Sequence, residues 1–146
     1  MEQINLQPIG FAKNNIKEAR FGNFADETSE IIVDEKFTEA LKGIDDYSHV
    51  IIVYWMDKVG KHVITHRPQG NPEVPIVGIF SCRCPQRPNP IAITTVRLIG
   101  HDGNKIKVKG LDILDGTPVI DIKPYWPQYD KVEQAKIPDW VNKLEF

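Results

Sequence analysis

The chain has 146 residues, and 18 lysines and arginines against 20 aspartates and glutamates give it a formal net charge of −2. This length allows a sizeable hydrophobic core, so we expect residues 1–146 to form a single domain that folds without a metal or a disulfide. The balanced charge excludes a globally basic protein, and a nucleic-acid partner would have to bind a local patch.

Neither end of the sequence nor its apolar stretches predict export or a membrane. The first residues lack the charged start, apolar run and cleavage site of a secretory signal. The longest apolar stretch, Val50 to Met56, is far shorter than the roughly 20 residues that a membrane-spanning helix needs. We therefore expect a soluble cytoplasmic protein that does not contact a membrane.

Most apolar runs are short, rich in Val and Ile, and bounded by Gly, Pro, Asn or Asp, which is typical of β-strands. The predicted strands, in chain order, are Ile4–Phe11, Glu30–Val33, His49–Trp55, Val74–Phe80, Ala92–Ile99, Lys105–Leu111 and Pro118–Ile122. These strands predict a mainly β fold and are numerous enough for a barrel. The proline-rich stretch Arg67 to Pro75 predicts a long surface loop.

One or two short helices are predicted beside the strands. Asp34 can cap the first and Gly43 can end it, and apolar residues recur there at helical spacing: Phe37, Ala40, Leu41 and Ile44. Pro138 favours a second helix start near the C-terminus, with Val141 and Leu144 facing inward. Trp140 and Phe146 could equally cover a barrel mouth.

The turn at His101–Asn104 contains Asp-Gly between two alternating runs, which predicts an antiparallel hairpin. Along its second strand, Lys105, Lys107 and Lys109 alternate with smaller or apolar residues and should share one face. Such a face is either simply solvated or a stripe that contacts RNA phosphates, and the sequence leaves both readings open.

Cys82 and Cys84 flank Arg83, a spacing that strains a direct disulfide. A metal site usually has Cys-x-x-Cys with further paired ligands, so we expect no metal and two small side chains in a loop. His49 begins the most apolar strand, where a lone histidine is more often hydrogen-bonded in the core than catalytic.

The segment Cys84–Pro90 contains three prolines, which fix its backbone and exclude helix or central strand. A stiff chain would hold Arg83, Arg87 and Asn89 with little entropy left to lose on binding, which suits a ligand site. A structural corner between two strands is the alternative.

Asp115-Gly116-Thr117-Pro118 is a turn by composition. After it, Asp121, Lys123 and Tyr125 alternate, so an acid, a base and a phenol should project from one strand face. These groups could form a buried ion pair or the wall of a site.

With these residues described, the chain resembles the TsaA-like family of S-adenosylmethionine-dependent tRNA methyltransferases, which methylate the exocyclic nitrogen of threonylcarbamoyladenosine beside the anticodon. The resemblance rests on long runs with kept spacing: Ile9-Gly10, Gly43-Ile44 through His49, Gly78-Ile79-Phe80, Arg83 through Ile91, and Gly110 through Tyr125. It implies a closed β-barrel that works as a homodimer on a tRNA substrate, with S-adenosylmethionine as cofactor.

The resemblance also implies which residues contact the cofactor. Family positions for the methyl donor map onto Asp57, Lys58, Arg83, Ile93, Gly110, Leu111 and Asp112. We hypothesise that the acceptor side is shaped by Arg87, Asn89, Asp115, Gly116, Thr117 and Lys123. Asp121 or Tyr125 is then the candidate catalytic group that accepts the proton from the acceptor nitrogen.

The sequence departs from the family at several points. Cys82-Arg83-Cys84-Pro85 stands where the family has Thr-Arg-Ser-Pro, and Ile91-Ala92 where it has Ile-Gly. The Pro-Arg-Gln of bacterial members is absent from Arg20 to Ser29, which leaves the first-loop contacts unassigned. The alternatives are a small-molecule methyltransferase on the same barrel, favoured by the acidic net charge, or a non-catalytic ligand-sensing or RNA-binding module.

Overall fold

The computed structural model describes residues 1–146 and contains eight β-strands. They are β1 Gly10–Lys13, β2 Thr28–Val33, β3 His49–Trp55, β4 Thr65–His66, β5 Val77–Gly78, β6 Ile91–Asp102, β7 Lys105–Lys109 and β8 Pro118–Pro124. Six of them close into an antiparallel barrel in the order β1-β2-β7-β6-β3-β8, while β4 and β5 form a separate two-stranded sheet. The predicted mainly β barrel is confirmed, and the barrel is closed.

The helices are short, and most are 3₁₀ helices. One α-helix, α1, spans Pro127–Asp130, and the 3₁₀ helices span Glu35–Leu41, Ile44–Asp46, Pro68–Gly70, Ile79–Ser81 and Asp139–Lys143. The single helix predicted after Asp34 is two 3₁₀ helices, because Gly43 adopts a φ of 85° between them. The helix predicted from Pro138 is also 3₁₀. None of the helices combines the length and apolar character needed to cross a membrane.

The core lies inside the barrel and follows from the two-residue periodicity of its strands. In β3, Val50, Ile52 and Tyr54 point inward and are at most 4% exposed. In β7, Ile106 and Val108 are fully buried between outward-facing lysines, as the alternation predicts. Because each strand buries every second residue, the intervening side chains form a continuous outer face.

Several predicted strand boundaries are wrong by one to three residues, since β2 begins at Thr28, β6 spans Ile91–Asp102 and β8 ends at Pro124, and three further errors each have a structural cause. Gly10 already pairs with Val33, the last residue of β2, so residues 4–9 extend past β2 and are irregular, although Ile9 keeps backbone hydrogen bonds with Val119 and Asp34. The predicted strand Val74–Phe80 shrinks to the two residues of β5 because a 3₁₀ helix starts at Ile79. Finally, β7 ends at Lys109 because Gly110 takes a φ of 91° and turns the chain.

The antiparallel pairing gives the barrel two distinct ends. Strands β1, β3 and β7 end where β2, β6 and β8 begin, and we call this end the upper rim. The opposite end, the lower rim, carries the tight β6–β7 turn. Closure depends on a short seam: β1 and β8 pair only through Gly10↔Val119 and Phe11↔Pro118, whereas β3 pairs with β6 along its whole length.

Candidate functional site

The residues predicted to hold the methyl donor meet at the upper rim, although they are far apart in sequence. Asp57 and Lys58 follow β3, Ile93 is the third residue of β6, and Gly110–Asp112 follow β7. The predicted acceptor turn Asp115–Thr117 immediately precedes β8. The closed barrel therefore brings these segments to one end of the molecule.

A buried tyrosine ties the rim to the barrel interior. The Tyr54 hydroxyl donates to the carbonyl oxygen of Asp112 at 2.5 Å and lies 3.2 Å from the hydroxyl of Thr94. Burial raises the pKa of Tyr54 to about 12, so the phenol stays a donor at neutral pH. Neither Tyr54 nor Thr94 was predicted from sequence, yet a tyrosine at an inward position of an apolar strand needs a partner for its hydroxyl.

Arg83 presents a guanidinium at the same rim. It is exposed, and its Nη2 donates to the carbonyl oxygen of Ile93 at 3.0 Å. It lies close enough to Tyr54 that its charge lowers the tyrosine's pKa, opposing the larger effect of burial. The other guanidinium donors make no hydrogen bond within the chain, so Arg83 can bind a carboxylate.

Asp112 is exposed at the rim, but neighbouring groups displace part of the water around its carboxyl and so raise its pKa, while the charge of Arg20 lowers it. Arg20 also donates to the carbonyl oxygen of Asn23 at 2.9 Å and forms an ion pair with Glu27 at 2.6 Å. The first loop therefore contributes Arg20 to the rim, a residue that the sequence left unassigned.

Asp115 is the centre of a second polar cluster. It pairs with Lys17, its Oδ1 accepts from the backbone N–H of Asn14 at 2.9 Å, and its carbonyl oxygen accepts from Lys58 at 3.0 Å. The hydrogen bond from Lys17, and then that from Asn14, lowers the pKa of Asp115. A cleft of about 440 Å³ lies beside it, lined in part by Asn14, Lys17 and Gly116.

Thr117 does not open into this cleft. It is only 4% exposed, and its backbone joins the β1–β8 seam through a 3.0 Å hydrogen bond from Ala12. Because the seam buries the Thr117 side chain, that side chain is not accessible for the predicted contact with substrate.

Arg87 organises the proline-rich loop from inside. Its Nη1 donates to the carbonyl oxygens of Ile79, Cys82 and Cys84 at 3.1, 2.7 and 3.3 Å. The two readings of this loop thus coexist: Arg87 builds a structural corner, and Arg83 projects from that corner. The contact of Arg87 with substrate stays a prediction, and it would have to use the guanidinium nitrogens other than Nη1.

Cys82 and Cys84 are buried free thiols that pack with Ile79 and the partly buried Trp140. Burial raises the pKa of Cys84 to about 12, and a protonated thiol is a poor metal ligand. No group of three or more His, Cys, Asp or Glu side chains is arranged to hold a metal ion.

Asn89 lines an apolar pocket of about 350 Å³ on the outer side of the upper rim. Its neighbours in the pocket wall include Trp55, Ile91, Pro118 and Ile120, and residues from the N-terminal segment complete it. A single amide among apolar groups is a common pattern in pockets for small organic groups.

The candidate catalytic residues of β8 do not reach the rim together. Asp121 and Lys123 form an ion pair at 2.7 Å on the outer face. Both side chains are exposed, so the buried ion pair that the sequence allowed is not formed. Tyr125 lies at the lower rim, where its N–H donates to the carbonyl oxygen of His49. At about 3.3 Å per residue, it is roughly 20 Å along the strand from Val119. His49 is exposed rather than in the core, because it begins β3 with an outward side chain.

Comparison with known proteins places the chain in a family. Residues 13–131 match the family described as the tRNA-methyltransferase O N-terminal domain. An "S-adenosyl-L-methionine-binding protein" of Archaeoglobus fulgidus is 41% identical over 90% of this chain and 96% of its own length. A mouse "tRNA (adenine(37)-N6)-methyltransferase" is 34% identical over 72% of this chain but only 25% of its own length.

Solved structures agree with the sequence match. The crystal structure of TrmO from Pseudomonas aeruginosa aligns with a TM-score of 0.75 and 30% identity over 92% of this chain. Our chain spans 62% of the length of that TrmO chain. Since most of the barrel and of the upper rim lies within the matched residues, the chain belongs to the tRNA-methyltransferase O N-terminal domain family.

Proposed function

We propose that this protein uses S-adenosylmethionine to methylate the exocyclic nitrogen of threonylcarbamoyladenosine beside the anticodon of tRNA. The observation that carries the proposal is that Arg83 of the proline-rich loop and Asp112 of the loop before β8 meet at one rim, both beside the side chain of Tyr54. The names of the Archaeoglobus and mouse relatives support the same cofactor and the same kind of substrate for this chain.

The side chains at the upper rim fit the chemistry of the methyl donor. Its amino-acid part needs a cation for the carboxylate and an acid for the ammonium group, which Arg83 and Asp57 or Asp112 can supply. Its adenine needs backbone hydrogen bonds and an apolar surface, and the Gly110–Leu111 backbone and Ile93 provide both. Tyr54 would keep this backbone in place through its bond to the Asp112 carbonyl.

Bound S-adenosylmethionine supplies a methyl group on a sulfonium, with an excellent leaving group, so the protein's main task is alignment. We assign Asn89 and the Asp115–Gly116 turn to the acceptor, because each lines a cleft at the upper rim and the Asp115 carbonyl oxygen accepts from Lys58, a proposed donor residue. Asp121 lies across β3 from Ile93, since both pair with Val53, at a distance of about 10 Å. Within one chain it is therefore a nearer candidate than Tyr125 to accept the proton.

We further propose that two copies associate through the outer face of β3 and β6 near the upper rim. Four apolar side chains cluster there: Val53, Trp55, Ile91 and Ile93. Ile91 and Ile93 are 36% and 52% exposed, which is unusual for two large aliphatic side chains that are adjacent on one face. A second copy of the same chain would cover this patch and approach the proposed donor site.

Calorimetry with S-adenosylmethionine tests the cofactor. We expect the parent protein to bind it, Arg83→Ala to bind roughly 10- to 100-fold more weakly, and Arg83→Lys to recover part of the loss, as expected when a charge-assisted hydrogen bond is removed. Lys143→Ala, which removes a distant exposed charge, is the matched control. No binding by the parent protein at millimolar ligand would overturn the cofactor.

Incubation with the donor and two tRNA pools tests the acceptor. One pool carries threonylcarbamoyladenosine and the other lacks it, and nucleosides are then analysed by mass. We expect methylation of the first pool alone. Methylation of neither pool, by a protein that binds the donor, would favour a small-molecule acceptor instead.

Light scattering after size exclusion tests the association. Ile91→Glu places a charge in the apolar patch and should give monomers. Ile99→Glu is the control, because Ile99 is equally exposed on the same strand but lies outside the patch. A monomeric parent protein would overturn the proposed dimer.

A further inference from the structure

One row of polar side chains crosses the outer face of the barrel from the upper rim to the lower. In the strand register, Lys109 of β7 lies opposite Arg97 of β6, and Arg97 lies opposite His49 of β3. The backbone N–H of Tyr125 donates to the carbonyl oxygen of His49. We call Lys109, Arg97, His49 and Tyr125 the polar belt. Their chain neighbours point into the core, as shown by Val50, Val96 and Val108, which are at most 1% exposed.

The belt joins two regions that are separate along any single strand. Lys109 is adjacent to Gly110, where the proposed donor site begins, and Tyr125 follows β8 at the lower rim. Three steps between neighbouring strands, each about 4.8 Å, make the belt roughly 14 Å long. This length suits a few consecutive nucleotides rather than a single small molecule.

The cations of the belt are largely free. Arg97 forms no salt bridge, and neither does Lys107, which precedes Lys109 on the same face of β7. Lys109 pairs with Asp26 at 2.9 Å, but the carboxylate of Asp26 is almost fully exposed. Although Glu30 lies opposite Lys107, no acidic residue lies in the belt itself.

The other two members are rings held in a fixed arrangement. The His49 and Tyr125 rings meet edge to face with centroids 6.4 Å apart. The Ser48 hydroxyl lies 2.7 Å from Nδ1 of His49, and the Tyr125 hydroxyl makes no hydrogen bond. An aromatic face beside exposed cations is the combination that binds single-stranded nucleic acid, through base stacking and phosphate contacts.

We propose that the polar belt binds single-stranded RNA that flanks the acceptor nucleotide, with Arg97 and Lys109 on phosphates and Tyr125 stacked on a base. The proposal rests on a tRNA substrate, and it gives Tyr125 a role that its distance from the donor site allows. An acidic protein segment would use the cations but would gain little from the two rings, of which His49 is exposed and Tyr125 is half-buried. A folded duplex would offer no unstacked base to Tyr125.

The test is the affinity of the full chain for an anticodon stem-loop RNA, measured by fluorescence anisotropy across a range of salt concentrations. Tyr125→Leu should weaken binding roughly 5- to 100-fold, the usual cost of losing one stacked base, while Tyr125→Phe stays within about threefold. Arg97→Ala with Lys109→Ala should flatten the slope of log affinity against log salt by about 1.4. Lys143→Ala is the control for loss of charge.

The same variants are titrated with S-adenosylmethionine, and the affinity for the donor should not change. Equal RNA affinity of Tyr125→Leu and the parent protein, or an unchanged salt slope in the double variant, would overturn the belt. An equal loss in Tyr125→Phe and Tyr125→Leu would also overturn it, because the hydroxyl rather than the ring would then matter.

Failure of the belt and failure of the proposed function give different results. If the parent protein methylates tRNA and the belt variants do so equally well at limiting RNA, the belt is wrong and the function stands. If the parent protein binds RNA through the belt but methylates no tRNA pool, the function is wrong and the belt stands. Because Arg97 is an exposed surface residue, its variant should fold even if a Tyr125 variant does not.

Discussion

The two ends of the barrel differ in how they use polar groups. At the upper rim, polar side chains hold loop backbone in place, as Tyr54 holds the Asp112 carbonyl and Lys58 holds that of Asp115. At the lower rim, the turn after β6 is tight, and His101 contacts Asp45 and the Gly103 carbonyl. The upper rim builds a site from long loops, while the lower rim mainly closes the fold.

We therefore expect donor binding to depend on residues of the upper rim and not on residues of the lower rim. Substitutions at the lower rim should leave donor binding unchanged, whether or not they lower stability. Substitutions at the upper rim should weaken donor binding by more than the fraction of protein that they unfold can explain.

The largest effect is expected from a pair of glycines. A side chain at Gly10 would lie 2.2 Å from the carbonyl oxygen of Ile32, so Gly10→Ala should cost about 3 kcal/mol, or roughly 6–12 °C in Tm. Gly110 has a φ of 91°, and a side chain there would meet only the carbonyl oxygen of Ala25, at 3.9 Å, so Gly110→Ala should cost only about 1–2 kcal/mol. Thermal unfolding and calorimetry should show that only the second variant loses donor affinity.

Gly60→Ala is the control for this pair, because a side chain at Gly60 would meet nothing within 4 Å and its φ is not positive. A loss of donor affinity in Gly10→Ala as large as in Gly110→Ala, measured well below the Tm, would contradict the separation of the two rims.

Two tyrosines give the next comparison. Tyr54→Phe removes the hydroxyl that bonds to Asp112 and should cost about 1–2 kcal/mol, or roughly 2–8 °C in Tm, since a buried hydrogen bond is lost. Donor affinity should fall with it, because the turn after β7 loosens. Tyr125→Phe at the lower rim should leave both Tm and donor affinity unchanged, and a drop in either would contradict the assignment.

Two carboxyls at the upper rim should respond to pH with opposite signs. The pKa of Asp115 is lowered from 3.8 by Lys17 and Asn14, so its stabilisation is present above that pH and is lost as pH falls through the folded pKa. The pKa of Asp112 is raised from 3.8 by desolvation, so its ionisation destabilises the fold as pH rises from 3.8 through the folded pKa.

We therefore expect Asp115→Asn to lower the Tm at neutral pH and Asp112→Asn to raise it. The Asp112 difference should disappear below pH 3.8, as that carboxyl becomes protonated in both states, whereas the Asp115 difference should shrink below pH 3.8 and vanish only below the lowered folded pKa. Circular dichroism melts across the acid range would measure them. Shifts of the same sign at neutral pH would rule out this account.

The smallest effect belongs to the lower rim. The hydrogen bond with Asp45 raises the pKa of His101 above 6.5, so this ion pair stabilises the fold below that pH and is lost as pH rises through the folded pKa. Because Asp45 is exposed, Asp45→Asn should cost less than about 1 kcal/mol, and only in acid. Added salt should abolish the difference in Tm, and a salt-insensitive difference would refute the ion pair as its cause.

The strands could be predicted from sequence because their evidence is local, whereas the closure of the barrel came from the family resemblance. The alternation of Lys105, Ile106, Lys107 and Val108 is present in the chain itself, and the structure reproduces it. The boundaries failed where the cause is not local: Ile4–Ile9 are irregular because β2 ends opposite Gly10, which a single strand pattern does not reveal.

The site was predicted in the same uneven way. Arg83 and Asp112 came from the resemblance, and the structure brings both to one rim. Tyr54 and Arg20 were missed because their roles depend on which side of the barrel they face and which loop they reach. The structure also separates Tyr125 from the donor residues, which alternation along one strand could not show.

The short seam between β1 and β8 has a consequence for how the barrel opens. With two paired positions against the full-length β3–β6 pairing, the seam should break first in local unfolding. In native-state hydrogen exchange, the amides of Ala12 and Gly116 should therefore exchange well before those of Ile52. Opening there must also break the bonds of Gly116 to Ala12 and of Asp115 to Asn14 and Lys17, and it would free the Asp115–Thr117 turn while the rest of the barrel stays paired.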